Sequence, residues 1–190
     1  MMLTLPNFLT LLRIIGIPVF VILLTGRHFG SALVLFVAAA LTDAIDGAVA
    51  RIMDSRSELG AVLDPLADKL LQVSSFIVLT MIGAIPYWLL VIVISRDVII
   101  LLGYAAIYFV AAKPMAVDPT ALGKATTFFQ LFTIGFAVTG LARPDLPVAL
   151  GNQLIQYCTG AASAASGLHY VYSGLLYYQR SGAAAKGEAA

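Results

Sequence analysis

The sequence has few charged residues, a single cysteine and only two histidines. Lys, Arg, Asp and Glu make up 11% of its 190 residues, whereas a soluble domain usually carries about 25%. A chain with so little charge is poorly suited to cover a surface that faces water. Cys158 alone excludes a disulfide within the chain and makes a cysteine-rich metal site implausible. The net charge of +1 gives no indication of a nucleic-acid partner.

Apolar residues dominate the sequence, at 61% of the total with a mean hydropathy of +0.96. A bilayer core about 30 Å thick requires about 20 helical residues to cross it. Six stretches are long enough, at 7–24, 31–52, 60–84, 87–112, 124–141 and 150–178. We therefore predict an all-α integral membrane protein with six transmembrane helices in one domain, 1–180. The small and polar segment 181–190 is predicted to be a disordered tail.

The positive charges in the connections predict the orientation of these spans. With six spans both termini lie on one side, and most of the Lys and Arg in or beside the connections would lie there too. They are Arg51, Arg56, Lys113, Lys124, Arg180 and Lys186. The other side would hold Arg27 and Arg143. Since Lys and Arg are concentrated in cytoplasmic loops, we predict that both termini are cytoplasmic.

Acidic residues are concentrated between positions 43 and 69. This segment holds six of the ten acidic residues, and four of them fall inside predicted spans: Asp43, Asp46, Asp64 and Asp68. A charge at the centre of a bilayer costs at least about 2.5–3.5 kcal/mol. We therefore expect the four carboxylates to face the protein interior or a wet cavity, with cations as partners.

The spacing of these residues places them on two helical stripes. At about 100° per residue, one stripe on the second span holds Asp43, Asp46, Gly47 and Ala50. Steps of four residues place a second stripe on the third span, at Gly60, Asp64 and Asp68. If the two spans fold antiparallel about the polar turn 54–58, the four carboxylates meet at a similar depth.

Four converging carboxylates without His or Cys nearby form a site of oxygen ligands. Such a site suits Mg²⁺, Mn²⁺ or Ca²⁺, and two ions sharing the four ligands would be completed by substrate phosphate oxygens. Small side chains on the same stripes let a ligand approach the backbone, and Arg51 near the mouth can bind a phosphate with two hydrogen bonds. The pattern predicts a nucleotide diphosphate site. The alternative is structural, with small residues packing helices and the acids paired with Arg51, Arg56 and Lys69.

Together these residues read Asp43-x2-Asp46-Gly47-x2-Ala50-Arg51-x8-Gly60-x3-Asp64-x3-Asp68. The pattern resembles the signature of the CDP-alcohol phosphatidyltransferases at all eight fixed positions. The segments 5–13, 63–70 and 122–130 also resemble the bacterial phosphatidylglycerophosphate synthase branch of that family. That branch often has Arg-Glu where this chain has Arg96-Asp97, which leaves the acceptor open. The resemblance implies six transmembrane helices, a homodimer, and a cavity open to the cytoplasm at the inner membrane of a bacterium.

The resemblance also implies roles for individual residues. CDP-diacylglycerol would bind through its diphosphate to two Mg²⁺ or Mn²⁺ ions, held by Asp43, Asp46, Asp64 and Asp68, with Asp68 as general base. Contacts to the CDP-lipid would come from Asp43, Gly47, Ala50, Arg51 and Gly60. The acceptor would be glycerol 3-phosphate, and its phosphate requires cations. We expect Arg96 and Lys124 to bind it, with Arg13 and Arg56 as further candidates.

Other interpretations remain open at this point. Arg96 can instead form an intramembrane ion pair with Asp97, and Lys124 can instead anchor a helix at the membrane surface. The acceptor can be phosphatidylglycerol, serine or an inositol phosphate. A divalent-cation transporter would also carry intramembrane acids, but an ion path does not need an arginine at position 51. A membrane scaffold without activity finds no support, because every position of the motif is present.

Overall fold

The computed structural model describes the backbone of residues 5–53, 58–111 and 120–187, and the side chains of 10–42, 63–103, 105 and 120–176. This part of the chain is helical and contains no strand. Six helices follow one another: α1 (Leu5–Thr25), α2 (Phe29–Met53), α3 (Glu58–Ile82), α4 (Tyr87–Ala111), α5 (Ala121–Ala142) and α6 (Ala149–Gly187). The predicted all-α fold is confirmed, and most helix ends lie within a few residues of the predicted spans.

The end of α6 differs from the prediction. The helix continues past position 178 to Gly187, and the disordered tail 181–190 stays a prediction. Alanine has the highest helix propensity, and an existing helix extends at little cost. The alanines at 183–185 therefore prolong α6. The predicted domain limit at residue 180 does not coincide with a helix end, and residues 188–190 lie outside the described part.

The chain divides into two compact units. The first comprises α1 to α3 together with Leu131–Leu154. Within it α1 packs against both α2 and α3. Large apolar side chains fill its core, including Phe20, Leu24, Phe76 and Leu79. Phe20 contacts Phe36 across α1 and α2 with ring centroids 5.9 Å apart.

The second unit comprises Tyr87–Gln130 and the chain from Ile155 onward. Trp88 on α4 stacks on Tyr157 of α6 at 5.6 Å. Gly160 makes room for this arrangement, because a Cβ there would lie 2.6 Å from the Trp88 ring. Thr126 on α5 donates to the Ala162 carbonyl at 3.2 Å. Small and hydroxyl-bearing residues therefore hold the helices of this unit closely together.

Polar residues lie inside the units, whereas many large apolar residues lie outside. Gln130, Thr133, Ser163 and Ser166 are fully buried. In contrast, large aliphatic side chains are exposed along several helices, among them Ile15, Ile22, Val34, Val91, Leu101 and Leu168. Two described segments, Leu63–Ile82 and Ala121–Ala142, are long and apolar enough to cross a membrane. An exposed apolar surface of this kind is typical of a region that meets a membrane or another protein.

Candidate functional site

Two of the four predicted ligand aspartates have described side chains, and both lie on α3. Asp64 and Asp68 are separated by four residues, so they share one face of the helix. Between them Ala67 is completely buried, whereas the side chain of Asp68 is 53% exposed. The predicted stripe of carboxylates on α3 is present, and a ligand from outside can reach Asp68.

Helix α1 supplies a polar partner to each of these carboxylates. The hydroxyl of Thr10 donates a hydrogen bond to Oδ1 of Asp64. Arg13 Nη1 donates to Oδ1 of Asp68 at 2.7 Å, and the side chain of Arg13 is only 6% exposed. We refer to these two contacts, Thr10–Asp64 and Arg13–Asp68, as the α1–α3 polar pairs.

The spacing on the two helices explains why both pairs form together. Thr10 and Arg13 are three residues apart on α1, and the aspartates are four apart on α3. Either spacing advances about one helical turn, so successive side chains on one helix meet successive side chains on the other. A guanidinium buried among apolar helices also requires a charged or strongly polar partner. The expectation that cations accompany the acids is confirmed at Asp68.

Arg13 has a partner that the sequence did not predict. The sequence made it a candidate contact of the acceptor, but in the structure its guanidinium contacts the carboxylate of Asp68. Thr10 was not singled out as a site residue. Its position three residues before an arginine in an apolar span makes it a neighbour of Arg13 on one helix face, but no sequence signal names Asp64 as its partner.

The other half of the motif lies outside the described side chains. The backbone of α2 includes Asp43, Asp46, Gly47, Ala50 and Arg51, and that of α3 includes Gly60. Arg56 lies outside the described residues altogether. The predicted convergence of four carboxylates therefore stays a prediction. Across the part of the chain that is described, no group of three or more His, Cys, Asp or Glu could hold a metal ion.

The two described carboxylates fit the metal that the resemblance implies. Mg²⁺ and Mn²⁺ prefer oxygen ligands, and Asp64 and Asp68 offer only oxygens. A carboxylate has about four lone-pair sites. The hydrogen bond to Oδ1 that the structure shows for each aspartate uses one of these sites.

A cavity of about 110 Å³ lies beside Arg13. Its wall is mainly apolar and comes from α1, α2 and Leu71. The wall includes Leu12, Phe20 and Phe36. It also includes Thr42, the residue before Asp43. Arg13 therefore lines an apolar cavity, while its guanidinium binds Asp68.

Arg96 occupies a different setting in the second unit. Its Nη1 donates to Oδ1 of the adjacent Asp97 at 2.9 Å, with 10% and 13% of the two side chains exposed. Its Nε and Nη2 donate to Ser166 Oγ at 3.3 and 3.2 Å. Its guanidinium carbon lies 5.9 Å from the centre of the Tyr170 ring, within range of a cation–π interaction. The alternative interpretation of Arg96 as half of an ion pair with Asp97 is what the structure shows.

The start of α5 lies next to Arg96. The Gly123 N–H donates to Thr120 Oγ1 at 3.1 Å, as in a helix N-cap. A Cβ at Gly123 would lie 3.3 Å from the Tyr170 hydroxyl and 3.5 Å from Arg96 Nη2. Lys124 follows on the same turn and is exposed. Ser166 and Tyr170 were not identified from the sequence, although their four-residue spacing on α6 places them on one face.

Comparison with known proteins gives a consistent family. A family model described as CDP-alcohol phosphatidyltransferase matches residues 3–166. A probable phosphatidylglycerophosphate synthase of Mycobacterium tuberculosis is 36% identical over 146 residues, which is 74% of this chain and 68% of that protein.

Cardiolipin synthases are also similar to this chain. The CMP-forming cardiolipin synthase of Rattus norvegicus is 34% identical over 191 residues, covering 90% of this chain and 61% of that protein. A probable cardiolipin synthase (CMP-forming) of Drosophila melanogaster is 34% identical over 188 residues, covering 88% of this chain and 56% of that protein. The chain therefore spans somewhat more than half of these two relatives.

Proposed function

Because the chain belongs to the CDP-alcohol phosphatidyltransferase family, we propose that it transfers a phosphatidyl group from CDP-diacylglycerol to glycerol 3-phosphate and releases CMP. The observation that carries this proposal is the pair of aspartates Asp64 and Asp68 on one face of α3, within the complete family motif. Asp68 is the aspartate with the 53% exposed side chain, as a group that meets a substrate must be.

In this reaction Asp68 acts as the general base. Its carboxylate accepts the proton of an acceptor hydroxyl, and the acceptor oxygen attacks the phosphorus that bears the diacylglycerol. The bond from that phosphorus to the CMP oxygen breaks, and CMP leaves. Asp64 orients the diphosphate together with the motif residues of α2, and Arg51 binds a phosphate. Transfer to phosphorus depends mainly on positioning and on neutralising charge.

We propose Mg²⁺ or Mn²⁺ as the cofactor, two per site, held by Asp43, Asp46, Asp64 and Asp68. When bound, the ions neutralise the charge of the diphosphate and of the leaving group. The oxygen-only donors of the two described aspartates support this assignment. Gly47, Ala50 and Gly60 keep their proposed role of leaving space for the nucleotide.

Lys124 is the acceptor contact that the structure supports best. Glycerol 3-phosphate carries a phosphate, and an exposed ammonium can bind it without giving up a buried partner. Arg96 also remains a proposed contact, but its guanidinium already binds Asp97 and Ser166. To bind the acceptor, Arg96 would have to exchange one of these partners.

Phosphatidylglycerol is the second candidate acceptor, because cardiolipin synthases resemble this chain over 88–90% of its length. The chemistry of the CDP-lipid would be the same, with a lipid hydroxyl as the nucleophile. The phosphodiester of phosphatidylglycerol carries less negative charge than the phosphomonoester of glycerol 3-phosphate, so the exposed Lys124 supports glycerol 3-phosphate.

We further propose that the protein is a homodimer that spans the inner membrane of a bacterium six times, with both termini and the active site on the cytoplasmic side. The exposed aliphatic side chains and buried polar ones support a lipid surrounding. The excess of Lys and Arg in connections on the side of the termini supports the orientation.

The test is CMP release by purified protein in detergent with CDP-diacylglycerol and Mg²⁺ or Mn²⁺. Glycerol 3-phosphate, phosphatidylglycerol, serine and inositol 1-phosphate are supplied separately. Release with glycerol 3-phosphate alone establishes the proposed reaction. Release with phosphatidylglycerol alone makes the protein a cardiolipin synthase. A folded protein that releases CMP with none of them contradicts the proposal.

A further inference from the structure

We propose that Thr10 and Arg13 are positioning residues, which hold the carboxylates of Asp64 and Asp68 in the orientation that the reaction needs. Arg13 is then not a contact of the acceptor. This inference rests on the proposed function, because it assigns α1 a part in that reaction. The α1–α3 polar pairs are the observation that carries it.

Burial separates the positioning groups from the carboxylates they hold. Thr10 is 3% exposed, and the Arg13 side chain is 6% exposed against 53% for Asp68. A ligand that enters from outside therefore meets the carboxylate of Asp68, with the guanidinium behind it. A group buried in this way acts through its partner more readily than on the ligand.

The residue types at these positions restrict the aspartates strongly. Arginine donates from a planar guanidinium whose N–H directions are fixed, whereas a lysine ammonium is a point charge without a preferred direction. Threonine is branched at Cβ and has few allowed rotamers, so its hydroxyl is held in place. Both contacts come from one helix, and the two aspartates are therefore set relative to each other.

This positioning has an expected size. Where a group outside the ligand set orients a metal ligand, its removal typically costs about 10- to 100-fold in metal affinity or activity. The residual function remains because the ligands themselves are present. Loss of the aspartates would remove far more.

The cavity next to Arg13 determines which substitution is informative. Arg13 lines that cavity together with Leu12 and Phe20, so truncation to Ala would enlarge it and destabilise the packing. Arg13→Lys keeps the charge and most of the length but loses the planar fork. Unfolding in detergent is measured for each variant, so that a loss of function is attributed to the changed contact only in a variant that is as stable as wild type.

Kinetics test Arg13. We expect Arg13→Lys to lower kcat by about 10- to 100-fold while the KM for glycerol 3-phosphate stays unchanged. A raised acceptor KM at unchanged kcat would mean that Arg13 binds the acceptor, and would overturn the inference. Unchanged kcat and KM would overturn it too, since the contact would then only join two helices.

Binding of Mn²⁺ without substrate tests Thr10, with electron paramagnetic resonance of the free ion as the readout. Thr10→Val should weaken Mn²⁺ binding about tenfold, and Thr10→Ser, which keeps the hydroxyl, should weaken it less. Thr25→Val is the matched control, because the Thr25 hydroxyl binds the carbonyls of Val21 and Ile22 in its own helix. Equal affinity of Thr10→Val and wild type would overturn the inference.

This second readout separates the inference from the proposed function. Wild-type protein that binds Mn²⁺ but releases no CMP with any acceptor contradicts the proposed reaction. In that case Mn²⁺ affinity is compared for Arg13→Lys and Thr10→Val against wild type. Weaker binding supports the positioning role, and unchanged binding overturns it. Wild-type protein that binds no Mn²⁺ overturns it as well.

Discussion

Arg13 and Arg96 are both buried arginines paired with an aspartate, but the pairs are built differently. Arg13 on α1 reaches across to Asp68 on α3, and that carboxylate is 53% exposed. Arg96 pairs with the next residue on its own helix, and Asp97 is only 13% exposed. The first pair presents a carboxylate to incoming molecules. In the second pair Arg96 also donates a hydrogen bond to Ser166 and lies over the Tyr170 ring. We refer to Arg13–Asp68 as the open pair and to Arg96–Asp97 as the closed pair.

The difference indicates two uses for the same chemistry. A carboxylate that is held on one side and open on the other is suited to accept a proton or bind a cation. In a buried pair, the attraction between the two charges offsets the free energy that is needed to remove both ions from water. Each of the following experiments asks whether the two pairs differ in this way.

Asp68→Asn should give the largest effect. The change keeps the shape of the side chain but removes its basicity and its charge, and general base catalysis contributes about 10²- to 10⁴-fold. CMP release should fall by at least that factor, while binding of CDP-diacylglycerol, measured separately, should largely persist.

Asp145→Asn is the control for the removal of one carboxylate, because Asp145 lies in an exposed turn and should keep the activity of wild type. Substantial turnover by Asp68→Asn would remove Asp68 from the role of base. The exposed carboxylate of the Arg13–Asp68 pair would then have no more part in the reaction than the buried Arg96–Asp97 pair.

The next largest effect should be on the free energy of unfolding, which Arg96→Met should lower more than Arg13→Met does. Removal of one partner of a buried ion pair typically costs about 3–5 kcal/mol, because the remaining charge stays buried. The larger cost is expected at Arg96, since only 13% of the Asp97 side chain is exposed. The cost at Arg13 should be smaller, since water can solvate Asp68.

Unfolding of the purified variants in detergent measures this difference. Arg96→Met combined with Asp97→Asn should recover part of the lost stability, because the uncompensated charge is then gone. An equal loss for Arg13→Met and Arg96→Met would show that exposure of the carboxylate does not distinguish the two pairs.

The sequence alone predicts the helical fold well. Apolar stretches of the length of a bilayer, separated by Gly and Pro, place most helix ends within a few residues. The turn after α3 is an example, where Gly83 adopts a φ of 87° before Pro86. At the end of α6 the sequence signals conflict, because small and polar residues suggest disorder whereas the alanines at 183–185 favour a helix.

The candidate site is predictable only in part. Periodicity places Asp64 and Asp68 on one face, because that is a property of a single helix. The partner of each carboxylate depends on how α1 packs against α3, which no local pattern encodes. Arg13 was therefore predicted to be a functional cation without its contact to Asp68, and Thr10 was not recognised.

Lys124→Ala should have a moderate effect on the acceptor. The second unit contains an exposed cation, Lys124, and a closed one, Arg96, and only the exposed one can bind a ligand without losing a partner. A hydrogen bond to a charged group contributes about 1.5–3 kcal/mol, so the KM for glycerol 3-phosphate should rise about tenfold or more with little change in kcat.

Lys124→Arg, which keeps the charge, should lie between wild type and Lys124→Ala in acceptor KM. An unchanged KM for Lys124→Ala would leave Lys124 as a surface anchor. Arg96 would then have to release Asp97 or Ser166 before it could bind the acceptor.

The smallest effect is expected at a third Arg–Asp pair, which is exposed on both sides. Arg143 Nη2 and Asp145 Oδ2 lie 3.0 Å apart in the turn before α6, with 59% and 60% of the side chains exposed. The hydrogen bond from Arg143 holds the pKa of Asp145 below its ordinary value of 3.8. A lowered folded-state pKa stabilises the fold above pH 3.8, and the contribution disappears as the pH falls through the folded-state value.

Asp145→Asn should therefore lower the Tm slightly at pH 7, and its difference from wild type should vanish in acid below the folded-state pKa of Asp145. Because water screens both groups, this shift should be the smallest of the three pairs. Thermal unfolding in detergent at neutral and acid pH measures it. A shift at pH 7 as large as that of Arg96→Met would mean that burial does not determine how much an Arg–Asp pair stabilises this protein, and the contrast between the open and closed pairs would lose its physical basis.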